Sequence, residues 1–397
     1  MKVSEDFFDN FNDLEVLQKK RNDIEPVLQI VKKFLIDNKV ILYGGTAMNL
    51  YLPKNKQFYS DLDIPDYDGY SSKAKELSIS LINVLKTKKY DFLLVKYALH
   101  EGTYKLAWEF KDIADFTNIH KTEYENILKK SVQLKGNGLY IAPLNLLKSN
   151  SYIELGMPKS SMFRWKKVFT RLQLLENTFP LKSNILKSNI FTTTLKDDIV
   201  VELINKINTY IQFNHLPLLG NSAIKFYLGM KNCDKYLDNK YFRFVQVLSN
   251  EMYTTIEDVK KILGTYKDIE YVTTTNTESQ LVPNKISIDI IYNKKKYRLI
   301  SVFDATKSCY GVISSKGNVF GSVFLLMNVY YYYLFMRNEN SKTSGILKRV
   351  MLELSKNINE SSFTTSCYGF DRSMSVIKKS RVKKGKPTIL KSFINAK

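Results

Sequence analysis

The apolar run Val40-Ile41-Leu42-Tyr43 stops at Gly44-Gly45 and passes at once into Thr46 to Leu52, a helix-compatible segment ended by Pro53. Four such residues read as a buried strand. A glycine pair between strand and helix permits a sharp turn and a close backbone approach that a Cβ would block. The neighbouring segments extend the pattern. Residues 1–38 read as helical, with Ile24, Val27, Leu28, Val31, Phe34 and Leu35 at helical spacing; 73–88 reads as an amphipathic helix, 92–98 and 104–116 as strands, and 144–176 as helical. The expected fold class is α+β.

A chain of 397 residues is too long for one typical core, and its 26 Tyr and 23 Phe argue for a folded interior. The expected division is an N-terminal helical segment 1–38, a first domain 39–140 ending around Gly136-Asn137-Gly138, a helical connection 141–200, a second α+β domain 201–377, and a basic tail 378–397 with eight Lys or Arg and no acid. An internal echo links the halves: LYGGTAMNLYL at 42–52 and LLGNSAIKFYL at 218–228, with Gly44 matching Gly220, Thr46 matching Ser222 and Ala47 matching Ala223. Asn221 replaces the second glycine and no D-x-D follows at a comparable distance, so a second copy would be an inactive scaffold.

Lys plus Arg number 60 against 39 Asp plus Glu, a net charge of +21 that favours a polyanionic partner, either nucleic acid or an anionic membrane. The stretch 318–336, NVFGSVFLLMNVYYYYLFM, is marginal for a membrane span and reads as a buried helix. The N-terminal MKVSEDFFDN is acidic and mixed, unlike a secretory signal. Cys233, Cys309 and Cys367 are scattered and odd in number, which supports neither a disulfide framework nor a zinc knuckle and suggests a reducing compartment.

The chemistry is expected from an ordered set: Gly44-Gly45-Thr46, then Asp61-x-Asp63, then a buried acid near 115. The glycine turn and the helix N-terminus behind it suit a phosphate, to which Thr46 can donate its hydroxyl. Asp61 and Asp63, two apart on an expected strand, would share one face, with a divalent cation to offset their repulsion. Hard carboxylate oxygens suit two Mg²⁺ or Mn²⁺ ions. Among Glu109, Asp112 and Asp115, the apolar context IADFT favours Asp115, and Asp112 is expected at a turn. PDYDG, holding Asp66 and Asp68, reads as a solvated turn. Further on, Lys159, Arg164, Lys166, Lys167 and Arg171 lie in a stretch without acids; on a helix Arg164, Lys167 and Arg171 share one face beside an apolar stripe of Trp165, Val168, Phe169 and Leu172, placing cations where a triphosphate or RNA backbone could meet them.

The order GG[ST]…DxD…D resembles the nucleotidyltransferase superfamily that includes DNA polymerase β. The fuller string YGGTAMNLYLPKNKQFYSDLDIP, with ALHEGTYKLAWEFKDIADFT after it, resembles the poly(A) polymerase catalytic subunits of poxviruses, mimiviruses and African swine fever virus. LKSNSYIELGMPKSSMFRWKKVFTRLQLL is similar to the stretch that follows the active site in that group, so the likeness runs over about residues 38–176. It implies a catalytic nucleotidyltransferase domain at 39–140, with Asp61, Asp63 and Asp115 as metal-binding catalytic carboxylates. It also implies nucleotide contacts from Gly44, Gly45, Thr46, Lys148, Ser149 and Tyr152, with Arg164, Lys167 and Arg171 as cationic contacts. The implied reaction is template-independent transfer of AMP from ATP to the 3′-hydroxyl of a viral mRNA, with release of pyrophosphate, in the host cytoplasm (the viral factory) or the virion. The RNA 3′ end and ATP are the implied partners, no membrane is involved, and a homodimer or a processivity subunit both stay open. A CCA-adding enzyme, a transferase modifying a small molecule or protein, and a non-catalytic RNA-binding subunit with relic motifs are the alternatives.

Overall fold

The computed structural model describes residues 22–60, 63–64, 66–98, 102–133, 136, 138–183, 198–229, 244–266, 269–275, 279, 281–337 and 341–369. The basic tail, Asp61 and Cys233 lie outside the described residues. The chain divides into two compact units between Leu147 and Lys148.

In the first unit a helix over residues 22–37 buries Ile24, Val27, Leu28, Val31, Phe34 and Leu35, the apolar stripe expected from their spacing. It leads to strand β1 (Ile41–Tyr43), which runs straight into the helix Gly44–Tyr51. The other strands are β2 (Tyr67–Ser71), β3 (Leu93–Tyr97), β4 (Thr103–Trp108), β5 (Lys111–Asn118), β6 (Val132–Gln133) and β7 (Tyr140–Ile141). They form one mixed sheet in the order β3-β4-β5-β2-β1-β7-β6. β2 is parallel to β5 and β1 is parallel to β7, while β1 and β2 are antiparallel. The helix Ala74–Thr87 buries Leu81 and Leu85. The expected strand 104–116 is a hairpin instead: Glu109 and Phe110 adopt positive φ and separate β4 from β5. Gly136 and Gly138 fall between the paired strands β6 and β7, inside this unit.

The second unit has a four-stranded sheet of β8 (Val245–Ser249), β9 (Glu270–Thr275), β10 (Lys285–Tyr292) and β11 (Lys295–Asp304) in the order β8-β11-β10-β9, and a three-stranded sheet of β12 (Tyr310–Ser315), β13 (Asn318–Gly321) and β14 (Cys367–Tyr368). The order β8-β11-β10-β9 repeats β2-β5-β4-β3 with the same directions: β8 is parallel to β11, and β10 is antiparallel to both its neighbours. The repeat extends to the echo seen in the sequence. Leu42 faces Gly69 in antiparallel register and Ile141 in parallel register; Leu218 bridges Val247 antiparallel and Phe320 parallel. The helix Gly220–Leu228 begins at a glycine with φ +52°, as Gly44–Tyr51 begins at one with φ +70°.

The apolar stretch near 318–336 resolves into β13, a cap and the helix Val323–Met336. Ser322 caps that helix by accepting from Leu325 N at 3.2 Å, and eleven of its residues are buried. Among the described residues no helix is long and apolar enough to cross a membrane. One expectation is corrected here: Cys309 and Cys367, far apart in sequence, are joined as a disulfide next to the β12–β14 pairing. Sequence spacing could not show this, because strand pairing brings the two cysteines together.

Candidate active site

The sequence of β1 dictates the site's first element. Gly44 takes φ +70°, and a Cβ there would sit 2.1 Å from Asp68 Oδ2, so only glycine lets β1 pass into its helix against that carboxylate. Thr46 is one turn on, and its hydroxyl donates to Asp66 O at 2.7 Å rather than standing free for a phosphate. The helix start is thereby tied to the strand that carries the acids.

β2 carries acids close to this turn, where the sequence suggested a solvated loop. Asp63 lies at an exposed bend, not on a strand, and its Oδ2 accepts from Ser60 N and Oγ at 2.7 and 2.8 Å. The strand begins at Tyr67, so PDYDG is not a solvated turn: Asp68 is inside β2, Asp66 directly precedes it, and both are half-buried. Asp68 is the register partner of Tyr43 on one side and of Asp115 on the other. Register partners project on the same face of a sheet, so the turn, Asp68 and Asp115 share one surface. Gly69, which suggested a turn, is needed in the strand itself: a Cβ there would meet Val40 Cγ1 at 2.4 Å.

Asp115 lies in β5 and is 8 % exposed, as its apolar context required. Its Oδ2 receives the Lys105 ammonium from β4 at 2.8 Å, while its Oδ1 is buried without a hydrogen-bond partner. Burial pushes its carboxyl up to about 6; Lys105 opposes this, and the nearby Asp66 charge adds to it. Burial works against the Lys105 charge, but Asp115 and Asp112 outweigh it and hold the ammonium above its ordinary value. Asp112 is not in the turn but at the start of β5, bonded to Lys105 at 3.0 Å. On the same face Tyr43 stacks on Tyr70 at 3.9 Å and its hydroxyl meets Thr117 Oγ1 at 2.7 Å. Burial, then Asp68, raises the Tyr43 phenol well above its usual range, so it stays a neutral hydrogen-bonding group.

The donor set suits a hard divalent cation. Hard oxygens from neighbouring strands share one face, and Asp115 Oδ1 has no other bond to lose. As they stand, no three acidic, His or Cys groups among the described residues gather tightly enough to cage an ion. Mg²⁺ does not need such a cage, since one or two carboxylates commonly hold it together with substrate phosphates.

Among the remaining expected contacts, Lys148, Ser149, Tyr152 and Arg164 bond groups within the second unit. Lys148 is 1 % exposed, and its Nζ bonds Glu176 Oε2 at 2.7 Å and Phe179 O at 2.6 Å. Ser149 Oγ donates to Asn328 O at 2.9 Å, and Tyr152 donates to Glu176 Oε1 at 3.2 Å. These three are core groups, and burial lowers the Lys148 ammonium despite Glu176. The helix Trp165–Thr178 buries Trp165, Val168, Phe169 and Leu172, as the stripe predicted. Arg164 precedes that helix and pairs with Glu154 at 3.1 Å, so it does not share a helical face with Lys167 and Arg171. Trp165 is a core residue stacked on Phe363 at 4.8 Å.

At the positions that repeat the site in the second unit the chemistry differs. Gly220 faces Gln246, whose Oε1 would lie 2.4 Å from an added Cβ, where Gly44 faces Asp68. Gln246 pairs with Ser301 as Asp68 pairs with Asp115, and the Lys105–Asp115 ion pair is matched by a Ser287–Ser301 hydroxyl contact of 2.7 Å. No carboxylate is left on that face at these positions.

The fold of this chain has a solved counterpart. The crystal structure of the Megavirus polyadenylate synthase has the same fold, with a TM-score of 0.72 and 20 % identity over 97 % of this chain and 84 % of that one. The model of the family described as poly(A) polymerase catalytic subunit matches residues 29–161, the segment holding Gly44, Asp68 and Asp115. Proteins named poly(A) polymerase catalytic subunit are similar to this chain in African swine fever virus (strain Badajoz 1971 Vero-adapted), at 26 % identity over 47 % of this chain and 42 % of that protein. Another in Acanthamoeba polyphaga mimivirus is 26 % identical over 42 % of this chain and 29 % of that protein. The chain thus spans less than half the length of the curated relatives it matches.

Proposed function

We propose that this chain is a template-independent poly(A) polymerase, transferring AMP from ATP to the 3′-hydroxyl of an RNA with release of pyrophosphate. The observation that carries the reading is the juxtaposition of the Gly44 turn with Asp68, and of Asp68 with the buried Asp115, on one sheet face. The family match over the same residues supports adenylate as the transferred group.

In this reading Asp66, Asp68 and Asp115 would hold Mg²⁺ or Mn²⁺, with Asp63 outside the set. Bound ions of this kind supply activation of the attacking hydroxyl and neutralisation of phosphate charge. The chain's own groups do the rest. The backbone at Gly44 and Gly45 approaches the triphosphate without Cβ interference. Lys105 holds the Asp115 carboxylate by one oxygen and leaves the other directed to the site. Tyr43, fixed by Thr117, orients the Asp68 side of the cleft. Asp115 is the group suited to accept the proton of the 3′-hydroxyl, because its Oδ1 is not engaged by Lys105.

The second unit, in the same proposal, is a duplicate that kept the strand order and the glycine turn and exchanged its acids for Gln246 and Ser301. A viral mRNA as substrate, the cytoplasmic viral factory as its site, and a homodimer or processivity partner follow from the relatives' nature and belong to this proposal. Extension of a labelled RNA primer with each ribonucleotide, with and without Mg²⁺ or Mn²⁺, tests it. Metal-dependent incorporation restricted to adenylate is expected. Incorporation of all four, or of CMP ahead of AMP, would point to another transferase, and RNA binding without any incorporation to a relic subunit.

A further inference from the structure

The run Tyr330-Tyr331-Tyr332-Tyr333 is split by the helix that carries it. Tyr330 and Tyr331 are buried, while Tyr332 and Tyr333 are half-buried. The latter two line a cavity of about 200 Å³ with Ser279, Asn284, Met336 and Arg337, all residues of the second unit.

Arg337 lines this cavity, and further cations stand behind its Tyr333 wall. Lys285 Nζ donates to no carboxylate among the described residues; it donates to the Tyr333 hydroxyl at 2.6 Å and lies 4.6 Å from the ring centroid. The Arg337 guanidinium lies 5.6 Å from the same ring. Arg298 is close enough to act on both Lys285 and Tyr333, and among the described residues its one acid, Asp289, is shared with Lys296 at 3.0 Å, so the cations here outnumber the acid bonded to them. Burial, then Arg298 and Arg337, lowers the Lys285 ammonium to about 8. An anion brought to this wall relieves that repulsion. The cavity's other walls offer the ring of Tyr332, the thioether of Met336 and the amide of Asn284, surfaces suited to a planar heterocycle.

We propose that this cavity seats one nucleotide unit of a single-stranded RNA, its phosphate against Arg337, with Lys285 behind the Tyr333 wall, and its base against Tyr332. The proposal rests on the reading of the chain as an RNA-directed enzyme and adds a second RNA contact, separate from the acids. It explains why two tyrosines and an arginine stand at the open end of an otherwise buried helix. Free ATP carries the same chemistry, so the test distinguishes the two sources.

The test uses the full chain without divalent metal, so that binding is read apart from catalysis. A fluorescein-labelled single-stranded oligoribonucleotide is titrated by anisotropy at several salt concentrations, and ATP is titrated separately. Arg337→Ser and Tyr332→Ala, both at half-open positions, are each expected to raise the Kd for RNA by about fivefold or more. Arg337→Ser should flatten the salt slope by about 0.7, the share of one phosphate contact on a single strand, and Arg337→Lys should restore it. ATP affinity should not change. Variants that melt like the parent and bind RNA with its Kd and salt slope would overturn the proposal, as would a loss confined to ATP. Primer extension by the parent separates the outcomes: RNA binding that responds to Arg337 in a chain that adds no adenylate leaves this subsite standing and removes the enzyme reading alone.

Discussion

Asp68 and Asp115 face each other across the parallel strands β2 and β5, and Asp68 Oδ2 closes against Gly44. Three segments distant in sequence thus meet on one face, and β2, paired between β1 and β5, fixes their spacing. In the proposed function the metal set is therefore built on Asp68 and Asp115, with the exposed Asp63 outside it.

Substitution of the register-paired acids should be decisive. Asp68→Ala and Asp115→Ala are expected to lower adenylate incorporation by about a hundredfold or more, since each removes a carboxylate from the proposed metal set. Asp63→Ala should stay within about threefold of the parent on the same scale. Primer extension at saturating ATP checks this, and the reverse ranking would return the metal role to the Asp61–Asp63 pair.

Gly44→Ala should be costly for a conformational reason. Its φ of +70° strains any L side chain, and the new methyl would lie 2.1 Å from Asp68 Oδ2. A loss of about 1–3 kcal/mol is expected, together with reduced incorporation. Gly220→Ala, with φ +52° and Gln246 Oε1 at 2.4 Å, should show the stability loss in urea unfolding without a matching fall in kcat.

Glu176→Gln should destabilise the protein without touching the affinity for ATP. It leaves the buried Lys148 ammonium unpaired and weakens the bonds from Tyr152 and Tyr331. Breaking such a pair costs about 3–5 kcal/mol where both members are buried, and somewhat less here because Glu176 is part-exposed. Urea unfolding measures the loss; a rise in the KM for ATP in protein that is still folded would instead restore Lys148 and Tyr152 as nucleotide contacts.

Lys285 gives stability a distinct pH dependence. Its folded value is about 8 against an ordinary 10.5, with the Tyr333 hydroxyl, Arg298 and Arg337 facing it. Below pH 8 it is charged in both states and the burial cost is felt in full. Between about 8 and 10.5 the unfolded chain holds more protons, so stability rises with pH. Tyr333, raised to about 12 by burial, stays neutral throughout that window. A gain on the order of 2 kcal/mol is expected in urea midpoints of the parent relative to Lys285→Met. Parallel curves for the two proteins would remove Lys285 as the titrating group.

The disulfide is directly testable. Alkylation of the unreduced, unfolded chain should modify one thiol of the three, and Cys309→Ser should cost about 2–4 kcal/mol. Modification of all three thiols would show the pair to be reduced.

The sequence by itself determined the local pieces of this protein. The stripe Ile24–Leu35, the turn of Val40–Tyr43 into a glycine-led helix, the buried Asp115 strand, the core stripe of Trp165–Leu172 and the echo at 218–228 are all written in short-range periodicity and in the special needs of glycine. Tertiary structure decided which acid pairs with Asp115 in register. DLD and DYD satisfy the same local pattern, and Pro65 and Gly69 argued for a turn, but β1 and β5 pair with both edges of β2 and override that local preference. The same holds for Lys148, Ser149, Tyr152 and the two bonded cysteines. Whether a polar group faces a cleft or a core partner depends on what a distant strand or helix places opposite it, and a linear spacing carries no record of that.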